Sequence, residues 1–262
     1  MTLAQLGRDW HRRWGVVRSL LIYYAKPLQL RRMTRFYAPL IRPGDLCFDI
    51  GAHVGNRIHV WRRLGAHVVA VEPQPQCIRV LQSLYGQDRG VTLVTEAVAA
   101  QPGTQILRIS SHNPTVSTLS QGWIDAVRRM DSFAGVEWSE ELAVSVTTLD
   151  LLIARHGKPA YCKIDVEGYE SAVLAGLSQP LPLISFEFIP AARTVALDAL
   201  ARLEELGDYR YNWFMGERHC WEEAQWVDAA TLRTRLAAMP DDGPSGDIFA
   251  RQVVPRHTQE VP

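Results

Sequence analysis

The sequence lacks several features that define other classes of protein. The apolar stretch at residues 14–25 is interrupted by Arg18 and is too short to cross a bilayer. No small-residue cleavage site follows it, so we expect no secretory signal. The four cysteines form no CxxC pair and three lie in apolar runs, which indicates reduced core thiols in a cytoplasmic protein. A GxxxxGK[ST] phosphate loop, a GxSxG elbow and an HExxH pair are also missing.

The chain has no net charge, because 28 basic residues balance 28 acidic ones. This balance argues against a nucleic-acid partner. The balance is uneven along the chain, because residues 1–43 carry a net charge of +8. We predict a basic helical extension over 1–43 and one main domain over 44–262. A solvated helix face is the ordinary interpretation. The alternative is a basic helix that uses Trp10 and Trp14 to rest on the inner face of an anionic membrane or on an acidic partner.

What is present after residue 43 is an alternation of short apolar strands with helices. This alternation predicts an α/β fold with a doubly wound, mostly parallel sheet that is covered on both faces. One helix is expected after the turn that follows the first strand, ending at about residue 64, and others at 76–85, 149–155 and 170–175. Residues 112–141 are polar and irregular. The predicted strands are 46–50, 67–72, 91–94, 144–147, 160–166 and 183–188, with an inserted strand at 105–109.

A glycine-containing turn follows the first strand. Gly51 and Gly55 allow the backbone to turn sharply and to approach a ligand closely. Glu72 ends the second strand, 21 residues after Gly51. At this spacing an acid can accept hydrogen bonds from both hydroxyls of an adenosine ribose. A dinucleotide fingerprint would have glycine where His53 and Asn56 stand. The turn therefore favours a nucleoside ligand over a nicotinamide dinucleotide.

Charged residues interrupt two apolar strands. Lys163, Asp165 and Glu167 follow one another at a spacing of two, which predicts that they point to one side of the sheet, and Glu187 lies in the next strand. Because unpaired buried charges are costly, we expect them at the mouth of the strands. A structural salt bridge between Lys163 and Glu187 is one interpretation. The other is a reacting centre, where a carboxylate deprotonates a hydroxyl or two carboxylates hold a divalent cation.

Four motifs, in this order, resemble the FkbM family of S-adenosylmethionine-dependent methyltransferases. They are Phe48–Asn56, Val71–Pro73, Val146–Asp150 and Lys163–Glu170. The resemblance implies the Rossmann-like class I methyltransferase fold, a seven-stranded sheet with an antiparallel strand near the C-terminus, at 247–250.

The resemblance also implies a cofactor site and an acceptor class. The cofactor is S-adenosylmethionine, and a divalent metal is left open without being predicted. The acceptor is a hydroxyl of a sugar, a glycan or a secondary metabolite. The implied catalytic residues are Asp165, Glu167, Lys163 and Glu187. The implied cofactor residues are Asp49, Gly51, Ala52, His53, Gly55 and Asn56 around the methionine part, Glu72 and Pro73 at the ribose, and Glu96 and Ala97 at the adenine.

We expect the irregular stretch 112–141 to cover the acceptor. Asn113, Ser117 and Thr118 offer polar groups there. Trp123 and Trp138 offer flat faces for a sugar ring, although packing within a lid is the ordinary role of such residues. Two other functions stay open at this point. They are a nicotinamide-dependent oxidoreductase and a non-catalytic adaptor that docks through its basic N-terminus.

Overall fold

The computed structural model describes residues 27–110 and 114–253 of the chain. Trp10, Trp14 and Asn113 lie outside the described residues. The described helices are α1 (Pro27–Tyr37), α2 (Asn56–Arg63), α3 (Pro75–Tyr85), α4 (Gln121–Val127), α5 (Leu149–His156), α6 (Glu170–Ala175), α7 (Arg193–Leu206) and α8 (Ala229–Ala238). The strands are β1 (Leu46–Ile50), β2 (His67–Val71), β3 (Val91–Val94), β4 (Ala97–Val98), β5 (Gly103–Ile109), β6 (Glu140–Thr147), β7 (Tyr161–Ile164), β8 (Leu183–Phe188), β9 (Tyr209–Met215) and β10 (Gly246–Gln252).

The main sheet has seven strands in the order β3-β2-β1-β7-β8-β10-β9. The five neighbouring strands β3, β2, β1, β7 and β8 of this sheet pair in parallel, whereas β10 is antiparallel to both of its neighbours, β8 and β9. The predicted mostly parallel, seven-stranded sheet with an antiparallel strand near the C-terminus is confirmed. The inserted strand β5 belongs to a second sheet of order β4-β6-β5.

Local sequence explains why these elements begin where they do. The central strand β1 is an apolar run with four of five residues buried, as expected for a strand covered on both faces. Helix α3 has Pro75 in its first turn, where the missing N–H costs nothing. Helix α5 is capped by Thr148, whose hydroxyl accepts a hydrogen bond from the Leu151 N–H at 3.2 Å.

Helix α1 packs on one face of the main sheet. Its inward residues Met33, Phe36 and Tyr37 are buried in the same core cluster as Tyr161 of β7 and Phe249 of β10. The predicted extension therefore contributes to the core of the main domain, and a domain boundary after residue 43 stays a prediction. Of the helices in the described ranges, none combines the length and the apolar character needed to cross a membrane.

Candidate active site

A pocket opens at the edge of the main sheet where the parallel strands end. Its wall includes Gly51 after β1, Glu72 after β2, Asp165 after β7, Glu187 in β8 and Asp247 in β10. The segment at residues 115 and 117–119 lines it as well. Ligands of open α/β sheets bind at this edge, because loop amides and helix N-termini converge there.

The turn after β1 is held between the two neighbouring strands. Gly51 has a φ of +84°, and a Cβ at this position would lie 1.8 Å from the carbonyl oxygen of Asp165. The N–H groups of Gly51 and Ala52 both donate to the Val71 carbonyl, at 2.9 and 3.0 Å. The Asp165 N–H donates to the Ile50 carbonyl at 2.9 Å. Glycine is therefore required at position 51 both by conformation and by the close approach of β7.

The carboxylate of Glu72 is fixed at the end of β2. It accepts hydrogen bonds from the His53 N–H at 2.9 Å and from the Gln74 N–H at 2.8 Å. Burial raises the pKa of Glu72 to about 7, although these two hydrogen bonds oppose the shift. The side chain lies on the pocket wall, and its contact with a ribose stays a prediction.

Some of the predicted cofactor residues lie behind the wall instead of on it. Asp49 is 1% exposed, one of its carboxylate oxygens has no hydrogen-bond partner in the described part of the chain, and burial raises its pKa to about 6. Ala52 is buried. A Cβ at Gly55 would lie 2.8 Å from both Leu81 and Tyr85, so this glycine allows helix α3 to pack closely. The predicted cofactor residues on the wall are Gly51, His53, Asn56, Glu72, Pro73, Glu96 and Ala97.

Glu96 forms an ion pair with Arg155. Its carboxylate accepts a hydrogen bond from the Arg155 guanidinium at 2.6 Å, next to its place on the pocket wall. The ion pair joins the connection between β3 and β4 to helix α5. Glu96 is therefore oriented before any ligand binds.

Three carboxylates meet on the other side of the pocket. One oxygen from each of Asp165, Glu167 and Glu187 lies within 4.8 Å of the other two. Glu167 lies beyond the end of β7 with a φ of +54°, so the turn after the strand, and not strand alternation, brings it to the other two. Burial and the neighbouring carboxylates raise the pKa of Glu167 and of Glu187 well above the usual range.

Two cations and two carboxylates form an ion-pair quartet beside this cluster, namely Arg57, Lys163, Asp165 and Asp247. The Lys163 ammonium is fully buried, contacts Asp247 and lies 3.4 Å from Asp165. The Arg57 guanidinium lies 3.3 Å from Asp165 and 3.9 Å from Asp247. Lys163 thus forms its ion pairs with Asp165 and Asp247, not with Glu187 as one interpretation of the sequence had it.

The quartet fixes the charge state of its members. Burial alone would lower the pKa of Lys163, but the carboxylates of Asp165 and Asp247 outweigh it and raise this pKa above its usual value. Burial alone would raise the pKa of Asp165, but Lys163 and Arg57 outweigh it and hold this pKa below its usual value. Asp165 is therefore an immobilised anion, whereas Glu167 and Glu187 retain their protons more readily.

Helix α1 reaches the quartet through Tyr37. This tyrosine is fully buried, and burial raises its pKa to about 12. Arg57, Asp247 and Lys163 are close enough to act electrostatically on its hydroxyl. The sequence analysis missed Arg57, Asp247 and Tyr37, because each is joined to the site only by tertiary packing.

The segment over the pocket is held by its own tryptophans. Trp123 is buried and packs edge-on against Phe133 and Trp138, with ring centroids 5.5 and 6.1 Å away. The Trp138 indole N–H donates to the Val116 carbonyl at 2.7 Å. Neither tryptophan lines the main pocket. The polar groups that do line it include Ser117 and Thr118, as the sequence predicts.

The fold and the site together define a Rossmann-like protein of the class I methyltransferase type. The family model described as the methyltransferase FkbM domain matches residues 49–211. The chain therefore belongs to the FkbM methyltransferase family and is an S-adenosylmethionine-dependent methyltransferase. No curated protein matches the sequence.

Solved structures of methyltransferases are similar to the chain at low identity. A methyltransferase FkbM from Methylobacillus flagellatus is 15% identical with a TM-score of 0.46, over 82% of this chain and 50% of that longer one. A TehB-like S-adenosylmethionine-dependent methyltransferase from Corynebacterium glutamicum is 11% identical with a TM-score of 0.43, over 85% and 88%. Fibrillarin from Aeropyrum pernix, crystallised with S-adenosylmethionine, is 10% identical with a TM-score of 0.40, over 80% and 68%. The family assignment depends on the family model and not on these likenesses.

Proposed function

We propose that the protein methylates a hydroxyl oxygen of a small-molecule acceptor, which is a sugar, a glycan or a secondary metabolite. The observation that carries this proposal is the group formed by Asp165, Glu167 and Glu187 on the pocket wall. A hydroxyl must lose its proton when its oxygen is methylated, and a carboxylate with a raised pKa is a suitable acceptor for that proton.

The residues on one side of the pocket fit the cofactor. When bound, S-adenosylmethionine supplies a methyl group activated by its positively charged sulfur. Glu72 would accept hydrogen bonds from the ribose hydroxyls, since both of its oxygens are already oriented by backbone N–H groups. Gly51 leaves the turn open to a ligand, and Glu96 and Ala97 would border the adenine. The buried carboxylate of Asp49, with one oxygen unpartnered in the described part of the chain, adds negative charge behind the methionine end.

Two carboxylates on the other side of the pocket are assigned different roles toward the acceptor. Asp165 is locked as an anion by Lys163 and Arg57, so we assign to it the orientation of the acceptor hydroxyl. We assign the proton transfer to Glu187, because it has a raised pKa and stands on a strand, where its position is fixed. The hydroxyl proton would pass to the ionised Glu187 carboxylate as the oxygen bonds the methyl carbon. The carbon–sulfur bond would break in the same step, with its electron pair left on the departing neutral thioether. Lys163 and Arg57 are positioning residues in this scheme.

The proposal is tested by binding and then by product analysis. Calorimetry is run with S-adenosylhomocysteine and, as the matched competitor, NAD. We expect binding of S-adenosylhomocysteine alone, because His53 and Asn56 replace the glycines of a dinucleotide turn. Hydroxylated sugars and their amino analogues are then incubated with methyl-labelled cofactor. A labelled ether supports the proposal, whereas absence of S-adenosylhomocysteine binding or label found only on nitrogen overturns it.

A further inference from the structure

The outward side of helix α1 forms a basic face, defined here as Leu28, Arg31, Arg32 and Arg35. These positions follow the spacing of three and four residues that places side chains on one side of a helix. All four are exposed, and Leu28 is 77% exposed. The opposite side of α1 is anchored in the core, so the orientation of the basic face is fixed.

The arginines of the basic face lack acidic partners. Within the described residues, no carboxylate lies at ion-pair distance from Arg31, Arg32 or Arg35. The Arg32 guanidinium donates a hydrogen bond to the backbone carbonyl of Arg218 at 3.5 Å. The three guanidinium groups line a groove together with Phe36 and His219. Three like charges held side by side favour an anionic partner.

The amino-acid sequence before α1 has the same character. Residues 1–26 contain five basic side chains and a single acidic one, and they include two tryptophans. A sequence that combines basic residues with leucine and tryptophan is typical of segments that lie on anionic bilayers. The rest of the chain, residues 44–262, has a net charge of −8 and would repel a long polyanion that wrapped around it. A flat surface that meets only one side of the protein avoids that repulsion.

The basic face also adjoins the pocket. The Gln29 side-chain amide donates to the Glu217 carboxylate at 3.2 Å, and Glu217 lies on the pocket wall next to Gly216. Through this contact the turn after β9 joins helix α1 to the rim of the pocket. A surface bound by α1 lies next to this rim of the pocket.

We propose that the basic face binds the surface of an anionic phospholipid membrane and that this contact holds the acceptor side of the pocket close to the lipid headgroups. Each basic residue at such a surface contributes about fivefold to membrane affinity, and salt weakens the contribution. The first part of the proposal does not depend on which acceptor is methylated. Cofactor binding therefore provides an independent check on the proposed function.

The test is co-sedimentation of the full chain with vesicles of phosphatidylglycerol mixed with phosphatidylcholine, against vesicles of phosphatidylcholine alone. The variant replaces Arg31, Arg32 and Arg35 by glutamate. The matched control replaces Arg63, Arg79 and Arg89 by glutamate, because these arginines are also exposed and have no ion pair in the described ranges. S-adenosylhomocysteine binding is measured for both variants to show that they are folded.

We expect the wild type to bind only the anionic vesicles, with weaker binding at high salt. The variant of the basic face should lose at least tenfold in vesicle affinity, and the matched control should lose clearly less. The proposal is overturned if the wild type does not sediment with anionic vesicles, or if both variants lose affinity equally. Retention of an RNA oligomer in place of the vesicles would also overturn it. If the variant of the basic face loses vesicle binding but still binds S-adenosylhomocysteine, the membrane contact and the proposed function are independent of each other.

Discussion

Lys163 and Asp247 form a buried ion pair across a strand that contributes neither of them. Lys163 is on β7 and Asp247 is on β10, and β8 runs between these two strands. In register, Lys163 lies beside Ser185 and Asp247 lies beside Glu187. The pair therefore ties the antiparallel strand to the parallel part of the sheet, and it does so directly behind the pocket.

Replacing Lys163 by methionine should strongly destabilise the protein. The change leaves Asp165 and Asp247 without their ammonium partner, and breaking a buried pair in this way costs about 3–5 kcal/mol. Adding Asp247→Asn should restore part of the loss, because one uncompensated charge is removed. Urea denaturation measures both variants, with Lys158→Met as the control, since Lys158 is exposed. Additive losses in the double variant would contradict the ion-pair interpretation.

Glu187→Gln should reduce kcat by about 10²–10⁴, the usual contribution of a general base. Because glutamine cannot accept the proton, the acidic limb of the pH–rate profile should disappear as well. Asp165→Asn should lower the rate by roughly a hundredfold and leave that limb in place, since Asp165 is assigned to orientation. Labelled methyl transfer measures both, and cofactor affinity should change little. A Glu187→Gln enzyme with normal turnover would remove Glu187 from the chemistry, and the exposed Glu137→Gln serves as the control.

Cofactor affinity should depend on pH through Glu72. The pKa of Glu72 is raised to about 7, so the free protein carries this proton below pH 7 and loses it above. Ribose hydroxyls donate to the ionised form, so S-adenosylhomocysteine should bind more tightly as the pH rises. Affinity should fall by about tenfold per unit below the pKa. Calorimetry from pH 6 to 8 tests this, and Glu72→Gln should bind weakly with no such dependence. A wild-type affinity that is flat over this range would show that Glu72 does not contact the ribose.

The sequence predicts the frame of this molecule better than the details of its site. Strands such as β1 and β8 are apolar runs bounded by turns, so their positions are encoded locally. Glu72 is predictable for the same reason, because a strand end fixes its place. Arg57 could not be found in this way, since its helix carries several arginines and only the ion pairs with Asp165 and Asp247 select one of them.

Some residues of the predicted turn and of the segment over the pocket serve packing in the structure, and the contact of Gly55 with a cofactor stays a prediction. Gly55 belongs to a glycine turn, but its lack of a side chain is used by Leu81 and Tyr85 of α3. Trp123 lies in the segment over the pocket, yet Gly168 and its own neighbours enclose it. A pattern of residue types predicts that a turn or a lid exists. Which face of it meets the ligand is decided by contacts between segments far apart in the chain.

The packing of helix α1 against β9 and β10 has a consequence for biosynthesis. Phe36 packs against Phe214 of β9 and Phe249 of β10, with ring centroids 5.2 and 5.5 Å away. The helix precedes both strands in the chain, so it is synthesised before them. Phe36 therefore lacks these two aromatic partners until β9 and β10 have been synthesised, and until then its ring is free to make non-native contacts.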